Sequence, residues 1–388
     1  MQLSFKLSYT TKADIQTLRE YINTLFLTSF LLLLFGFYVV SQAYKPIITF
    51  LILAVSFSSL LYSQTEKLKI KVSVNTILFW FIFSILICCI QIISGIINYY
   101  IIYLFSSASF AYFLVNNKFK TKFIYIPFIV ISAYVLLSFI SGRDLNEIFP
   151  DTSRNYISVI LLTNVSTIYL IDWRQNNIIN IWIAIITLTI SILAIGRSGI
   201  IVSLFLFVCL IALKYKRLSV KKKVIGLSVL IIPLIIYLLI NWNQIVNIYY
   251  SIDYFSRLNA LGFKDNAREL LRNSYFDNLN IFTLLFGYNY SGNGIYSIWN
   301  NNPHNSFIEL HHKAGFLFFP IVATLFYAIL VFLKKNKFYF IIIVALLIRA
   351  STDRVFFLTH YDYLIIALVL IALSEKKTEQ ISTDNEVT

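Results

Sequence analysis

The chain has 388 residues, of which 59% are hydrophobic and only 13% charged, with a formal net charge of +14. Soluble domains carry roughly a quarter charged residues, so the balance excludes an ordinary soluble domain. The basic residues sit in short clusters between apolar runs, which argues against nucleic acid as the reason for the charge. The cysteines Cys88, Cys89 and Cys209 all lie inside apolar runs, which argues against a disulfide framework or a thiolate metal site.

Apolar runs of about 17 to 25 residues, the length that crosses a hydrocarbon core of roughly 30 Å, recur along nearly the whole chain. They predict an all-α, polytopic membrane helix bundle of about twelve spans. The first begins near Tyr21 after a mixed-charge stretch, with no short apolar core followed by a small-residue cleavage site, and reads as an anchor rather than a removed signal peptide. Spans are expected near 21–41, 46–63, 75–94, 97–115, 123–140, 157–171, 178–195, 199–213, 224–240, 306–333, 339–350 and 360–373. Lysine clusters at Lys67–Lys71, Lys118–Lys122, Lys214–Lys223 and Lys334–Lys337, with Lys376 and Lys377, mark cytoplasmic loops and place both ends of the chain inside. The expected organisation is a bundle over 1–240, a long external loop with an amphipathic helix over 241–303, a last group of spans over 304–374 and a polar, disordered cytoplasmic tail over 375–388. No internal repeat is visible, and the abundance of Asn and Ile is read as coding bias.

The two basic residue types separate by side. On this topology 18 of 21 lysines are cytoplasmic, whereas 8 of 11 arginines lie at the outer edge: Arg143, Arg154, Arg197, Arg257, Arg268, Arg272, Arg349 and Arg354. Lysines set orientation. A guanidinium instead offers a planar, permanently charged fork that takes phosphate or carboxylate oxygens in pairs, so an anionic external ligand explains the arginines. The alternative is that they pair with Asp144, Glu147, Asp151, Asp265, Glu269 or Asp353 and hold loops in place.

Arg197 is the only charge between Ile178 and Leu213, a stretch too long for one crossing. The chain must turn at AIGRSG, which puts Arg197 and Ser198 at the outer end of two spans, either as ligands for an anion at membrane depth or with the arginine snorkelling to the interface. Beyond it, Asp265 to Gly287 reads as one amphipathic helix with Arg268 and Arg272 on a shared face and Leu270, Leu271, Phe282 and Phe286 toward the membrane surface. GYNYSGNG, Gly287 to Gly294, reads as a flexible link. Then comes NNPHNSFIELHHKAG, Asn301 to Gly315, holding three of the four histidines. Asn302 as cap and Pro303 at the first helical position start the next span, which puts His304 in its first turn. There a neutral imidazole beside arginines suits a general base, or His304 and Asn305 merely finish a helix end. HNSFIELHH lacks the HExxH spacing of a zinc peptidase, and no metal is expected.

GRSG at an outer turn, a long external loop bearing an arginine and a Gly-rich patch, and PHNSFIELHHKAG opening the next span resemble the O-antigen polymerase and O-antigen ligase superfamily over roughly 178–333. The resemblance implies a metal-independent, cofactor-free glycosyltransferase in the bacterial inner membrane. Such an enzyme polymerises or transfers glycans carried on undecaprenyl pyrophosphate at the periplasmic face, alongside membrane lipid and a chain-length regulator, with no nucleic acid. It implies His304 as the catalytic residue and Arg197 and Arg268 as pyrophosphate ligands. Arg257 and Arg272 rival Arg268, because Leu271 stands where the family carries an aromatic three residues after its loop arginine. Asn305, Ser198 and Glu309 fall in supporting positions. A polymerase acting on O-antigen or capsular repeat units is the favoured reading, a ligase or a lipid-linked glycan flippase the alternatives.

Overall fold

The computed structural model describes residues 12–64, 74–96, 100–150, 152–216, 266–299 and 301–386. Among them the chain is helical, with no strand. The first part carries α1 Lys12–Val39, α2 Lys45–Ser63, α3 Val74–Ile93, α4 Tyr100–Asn116, α5 Ile126–Ile140, α6 Asn155–Asn176, α7 Ile181–Leu193 and α8 Arg197–Lys216. A connector holds α9 Asn266–Asp277, α10 Ile281–Phe286 and α11 Gly294–Ser297. Then follow α12 Ser306–Ala314, α13 Phe318–Lys335, α14 Lys337–Thr352 and α15 Asp362–Glu386. Six helical stretches among the described residues are long and apolar enough to cross a membrane: those starting at Asp14, Gln42, Thr76, Asn155 and Arg197, and Ser306–Lys335. Tyr100–Asn116, Ile126–Ile140 and Ile181–Leu193 are shorter apolar helices.

The helix α6 organises the bundle. It is the least apolar of the six stretches yet is buried on nearly every face. A helix that never meets lipid has no need of an apolar exterior, and its polar side chains are spent on its own backbone: Thr163 and Thr167 donate to the carbonyls four residues back, as does Asn164. Around it α4 packs against α2 and α15, and α8 against α7 and α14. The peripheral helices keep rows of exposed apolar side chains, such as Ile77, Phe81 and Ile85 on α3 and Phe319, Phe326 and Leu330 on α13. Exposure on that scale suits lipid and not water.

Asparagine punctuates the chain, so its abundance has a structural use that composition hides. Asn177 ends α6 in the left-handed conformation. The side chains of Asn180, Asn280, Asn293, Asn305 and Asn336 accept backbone N–H groups at helix starts. Arg174 on α6 donates to the carbonyls of Leu114, at 2.7 Å, and Val115, at 2.6 Å, which the end of α4 leaves without helical partners.

The span expected over 306–333 falls on the apolar stretch Ser306–Lys335, within which α12 ends at Ala314 and α13 starts at Phe318 after a 3₁₀ turn at Gly315–Leu317. Four expectations need correction. The amphipathic helix expected from Asp265 to Gly287 is two helices, because Asn280 and Thr283 form a reciprocal cap that begins α10 anew. Leu271 is fully buried against Tyr275, Tyr290, Tyr296 and Ile308 in a small second core instead of facing a membrane, and the link at 287–294 is anchored by Tyr290. The polar tail expected to be disordered continues α15 as helix to Glu386, with neither Gly nor Pro to stop it. The span expected at 224–240 lies outside the described residues.

The connector docks on α12 through two glycines. A Cβ on Gly315 (φ +50°) would lie 2.3 Å from the Leu285 carbonyl oxygen, and one on Gly287 (φ +85°) would lie 2.4 Å from that of His312. Only glycine supplies both the backbone angle and the space. Gly315→Ala is therefore expected to lower the thermal midpoint in detergent and to speed proteolytic cleavage between α9 and α11 several-fold, with a stability loss of about 1–3 kcal/mol. Wild-type cleavage rates in that variant would show that the contact does not hold the connector.

Candidate functional site

The sequence HNS, 304–306, ties the start of α12 to the end of α14 and the loop between α14 and α15. Asn301 and His304 both adopt left-handed backbone (φ 53° and 49°), so the chain turns twice just before the helix. Asn302, expected to cap that helix, instead accepts the His304 N–H at 2.9 Å and holds this turn. The cap is Asn305, three residues later, whose side-chain oxygen accepts from Phe307 N at 2.8 Å and Ile308 N at 3.2 Å. His304 therefore stands outside α12 and not in its first turn.

Ser306 then uses its whole hydrogen-bonding capacity on the loop between α14 and α15. Its hydroxyl donates to the Asp353 carbonyl at 2.6 Å and accepts from Val355 N at 2.9 Å and Phe356 N at 3.1 Å. This contact brings the Asp353 side chain beside His304, with Nδ1 of the ring 3.7 Å from Oδ1 of the carboxylate. The other carboxylate oxygen faces Arg349, which is fully buried, at 3.3 Å. Arg349 also donates to Ser198 Oγ at 2.7 Å and to the Asn155 carbonyl at 3.1 Å. A continuous polar chain thus runs from the start of α8 through α14 to His304. Burial alone would push the Asp353 carboxyl up; the His304 contact and the Arg349 charge outweigh it and hold it at about 2.

A second ionic group lies one turn further along α12. Glu309 is buried, pairs with Lys313 at 2.9 Å, lies 3.8 Å from Arg354 and accepts a hydrogen bond from the Tyr290 hydroxyl. Lys313, equally buried, places its ammonium 3.5 Å from the centre of the Tyr100 ring. Arg354 differs from both in keeping 39% of its side chain exposed. The Glu309 charge raises the Arg354 pKa further, so its cation is permanent.

These groups share a cavity of about 720 Å³ at one end of the bundle. It is lined by His304, Lys45, Lys313 and Arg354 together with Phe37, Tyr103 and His360. Every element that contributes to it belongs to the side expected to be external. A wider cleft at the opposite end is lined by Lys118, Lys120 and Lys122, the side expected to be cytoplasmic.

The expected residues are brought together only in part. His304, Asn305 and Glu309 meet at the cavity or directly behind it, and Ser198 joins them through Arg349. Arg197 is the exposed first residue of α8. Arg268 is half-buried on α9 within electrostatic reach of Arg349, and Arg272 is exposed on the same helix. None of these three lines the cavity. Arg257 lies outside the described residues. His311 and His312 hold the connector: His311 pairs with the Tyr275 hydroxyl at 2.7 Å and the Leu284 carbonyl at 3.0 Å, and His312 with the Tyr288 carbonyl at 2.8 Å.

No protein-family model, curated protein or solved structure matches this chain.

Sequence reading missed Lys313, Lys45 and His360. A signal for the lysines was present: Lys45, Lys264 and Lys313 are the three that break the cytoplasmic rule, and two of them line the cavity. His360 lies outside the His-rich stretch and had no signal.

Two outcomes follow from the charge geometry. Glu309→Gln leaves Lys313 buried without a counter-charge, so it is expected to destabilise the protein by about 3–5 kcal/mol. The double variant Glu309→Gln, Lys313→Met should recover a large part of the loss in thermal denaturation; no recovery would mean that the pairing does not matter. For Asp353, whose pKa is depressed to about 2 from 3.8, the stabilisation is fully present above pH 3.8 and is lost as pH falls through about 2. It amounts to about 2 kcal/mol, and Asp353→Asn should remove that part of the acid dependence.

Proposed function

We propose that the protein is a polymerase that joins lipid-linked oligosaccharide repeat units, carried on undecaprenyl pyrophosphate, into O-antigen or capsular polysaccharide at the periplasmic face of the bacterial inner membrane. The observation that carries this reading is one cavity in which a histidine backed by a buried carboxylate, three cations and aromatic side chains lie together. A glycosyl diphosphate asks for those three kinds of group: a proton acceptor for the incoming hydroxyl, fixed positive charge for the leaving diphosphate, and ring faces for the sugar. The topology proposed with it has about twelve crossings, one of them over 224–240, with both ends of the chain cytoplasmic.

In the proposed reaction an acceptor hydroxyl oxygen attacks the anomeric carbon of the donor. The bond from that carbon to the diphosphate oxygen breaks, and undecaprenyl diphosphate departs with the electron pair. The hydroxyl proton passes to His304. Its Nδ1 faces Asp353, which leaves Nε2 for the acceptor, and the carboxylate stabilises the imidazolium that forms. Arg354 meets the diphosphate: Arg349 is fully buried and bonded to its neighbours, whereas Arg354 is held only loosely by Glu309 and is part-exposed at the cavity. Arg197 and Arg268 extend the positive field at the same end of the bundle.

His304→Ala is expected to abolish polymer while the protein still accumulates in the membrane. Asp353→Asn should lower turnover by about 10²–10⁴-fold. The check is deletion in the host, complementation by each variant and separation of surface glycans by size. Wild-type protein should restore a ladder where the deletion shows a single repeat unit. Bare acceptor in the deletion strain would indicate a ligase, and internal build-up of lipid-linked units a flippase. Full-length polymer from His304→Ala would overturn the assignment.

A further inference from the structure

His360 lines the cavity and takes no part in the ionic network. It is 6% exposed, and neither Nδ1 nor Nε2 has a hydrogen-bond partner among the described residues. Burial pushes its pKa down to about 3, so the ring stays neutral and offers one donor and one acceptor. The ring is not loosely placed. Its centre lies 4.3 Å from that of Tyr103 and 5.7 Å from that of Phe37. The loop that carries it is fixed on both sides. The Asp362 carboxylate accepts from Phe357 N at 2.6 Å and Thr359 N at 3.0 Å, and Ser107 on α4 donates to the Thr359 carbonyl at 2.8 Å. Phe357 and Leu358 sit in left-handed backbone (φ 70° and 61°), a conformation that apolar side chains adopt only when their surroundings impose it.

Leaving two polar atoms of a buried ring unpaired costs stability, and a protein retains such a group where a ligand completes it. The cavity next to the ring supplies the setting. The same cavity is lined by the Thr152 and Tyr361 hydroxyls and by Nδ1 of His304, buried atoms that likewise have no hydrogen-bond partner among the described residues. The rings nearest His360 are aromatic, and the Lys45 ammonium lies 5.5 Å from the centre of the Phe37 ring.

We infer that His360, with Thr152 and the Phe37 and Tyr103 rings, forms a subsite for a sugar ring. The imidazole there accepts from one hydroxyl and donates to another, and the aromatic faces cover the C–H surface of the ring. This rests on the glycan reading of the cavity and adds to it a division of labour: charge at Arg354 and Lys313 for the diphosphate, neutral polarity at His360 for recognition of the repeat unit. His360 on this account decides which sugar is taken and takes no part in moving the proton.

The test uses the full-length protein in detergent with two probes: the lipid-linked repeat unit extracted from the deletion host, and the free oligosaccharide released from it by mild acid. His360→Phe removes both unpaired polar atoms and keeps a ring. It should raise KM for the lipid-linked unit about tenfold or more, leave kcat within about threefold, and weaken binding of the free oligosaccharide by a similar factor, as followed by tryptophan fluorescence. Its thermal midpoint should be equal to or above that of the wild type, since no protein–protein hydrogen bond is lost. His360→Gln, which restores a donor and an acceptor, should recover part of the affinity. A His360→Phe protein that loses stability together with activity would mark the histidine as structural and overturn the inference. Wild-type KM and oligosaccharide affinity in His360→Phe would overturn it too, with the polymerase reading left intact. A wild-type protein that makes no polymer and binds neither probe would take down both.

Discussion

The buried carboxylate of Asp353 is the constraint on which the cavity end of this molecule depends. A lone carboxylate in a bundle interior is costly by several kcal/mol, and it persists only where its surroundings supply charge and hydrogen bonds. Here Arg349 supplies the charge, and through that guanidinium the start of α6 and the start of α8 are drawn to the end of α14. The backbone of the same residue receives the Ser306 hydroxyl, which sets where α12 begins. Removing the acid would release three helix ends and the histidine together. A positional role and a chemical one are therefore carried by a single group, and stability measurements alone would not separate them.

The ionic groups at this end differ in how firmly they are committed. Arg349 is fully buried and engages Ser198, Thr352, Asn155 and Asp353. Lys313 is buried with its charge divided between Glu309 and the Tyr100 ring. Arg354 keeps the longest ion-pair distance of the three and the largest exposure. The order matters for binding. A permanent cation already locked by several partners contributes field without moving, whereas a loosely held one can turn its fork to an incoming anion without first breaking a good hydrogen bond.

Much of this organisation was legible in the sequence, because its causes are local. Apolar runs of membrane length place most helices within a few residues, and the turn at AIGRSG is forced by the length of the surrounding apolar stretch. The importance of HNS was visible as well. What could not be read was tertiary in origin. Asn302 and Asn305 are equally good caps by residue type, and the choice between them is made by the Ser306 bonds to a loop some fifty residues later. The break at Gly315 is set by the approach of the Leu285 carbonyl, and no local pattern announces it. His311 and His312 form a metal-like cluster on paper because the connector that takes up their nitrogens is distant in sequence. His360 carries no local signal at all, since its meaning comes from what surrounds it.

The sidedness of lysine and arginine links the topology to the chemistry. Orientation in a membrane needs only positive charge near a helix end, and the hydrated ammonium of lysine provides it. If that were the whole requirement, the outer face would carry few cations of any kind. On the expected topology it carries arginines, and it carries the exceptional lysines Lys45 and Lys313 at the cavity itself. Each of these works against the charge bias that orients the chain, and Lys313 adds the desolvation of a buried ion. A structural pair would not need that excess: Asp353 already answers Arg349, and Glu309 already answers Lys313. Arg354 shares Glu309 at the longer distance of 3.8 Å, is part-exposed, and lines the space of about 720 Å³ that His304 also lines. An anion bound there would meet the proposed need for positive charge beside a leaving diphosphate.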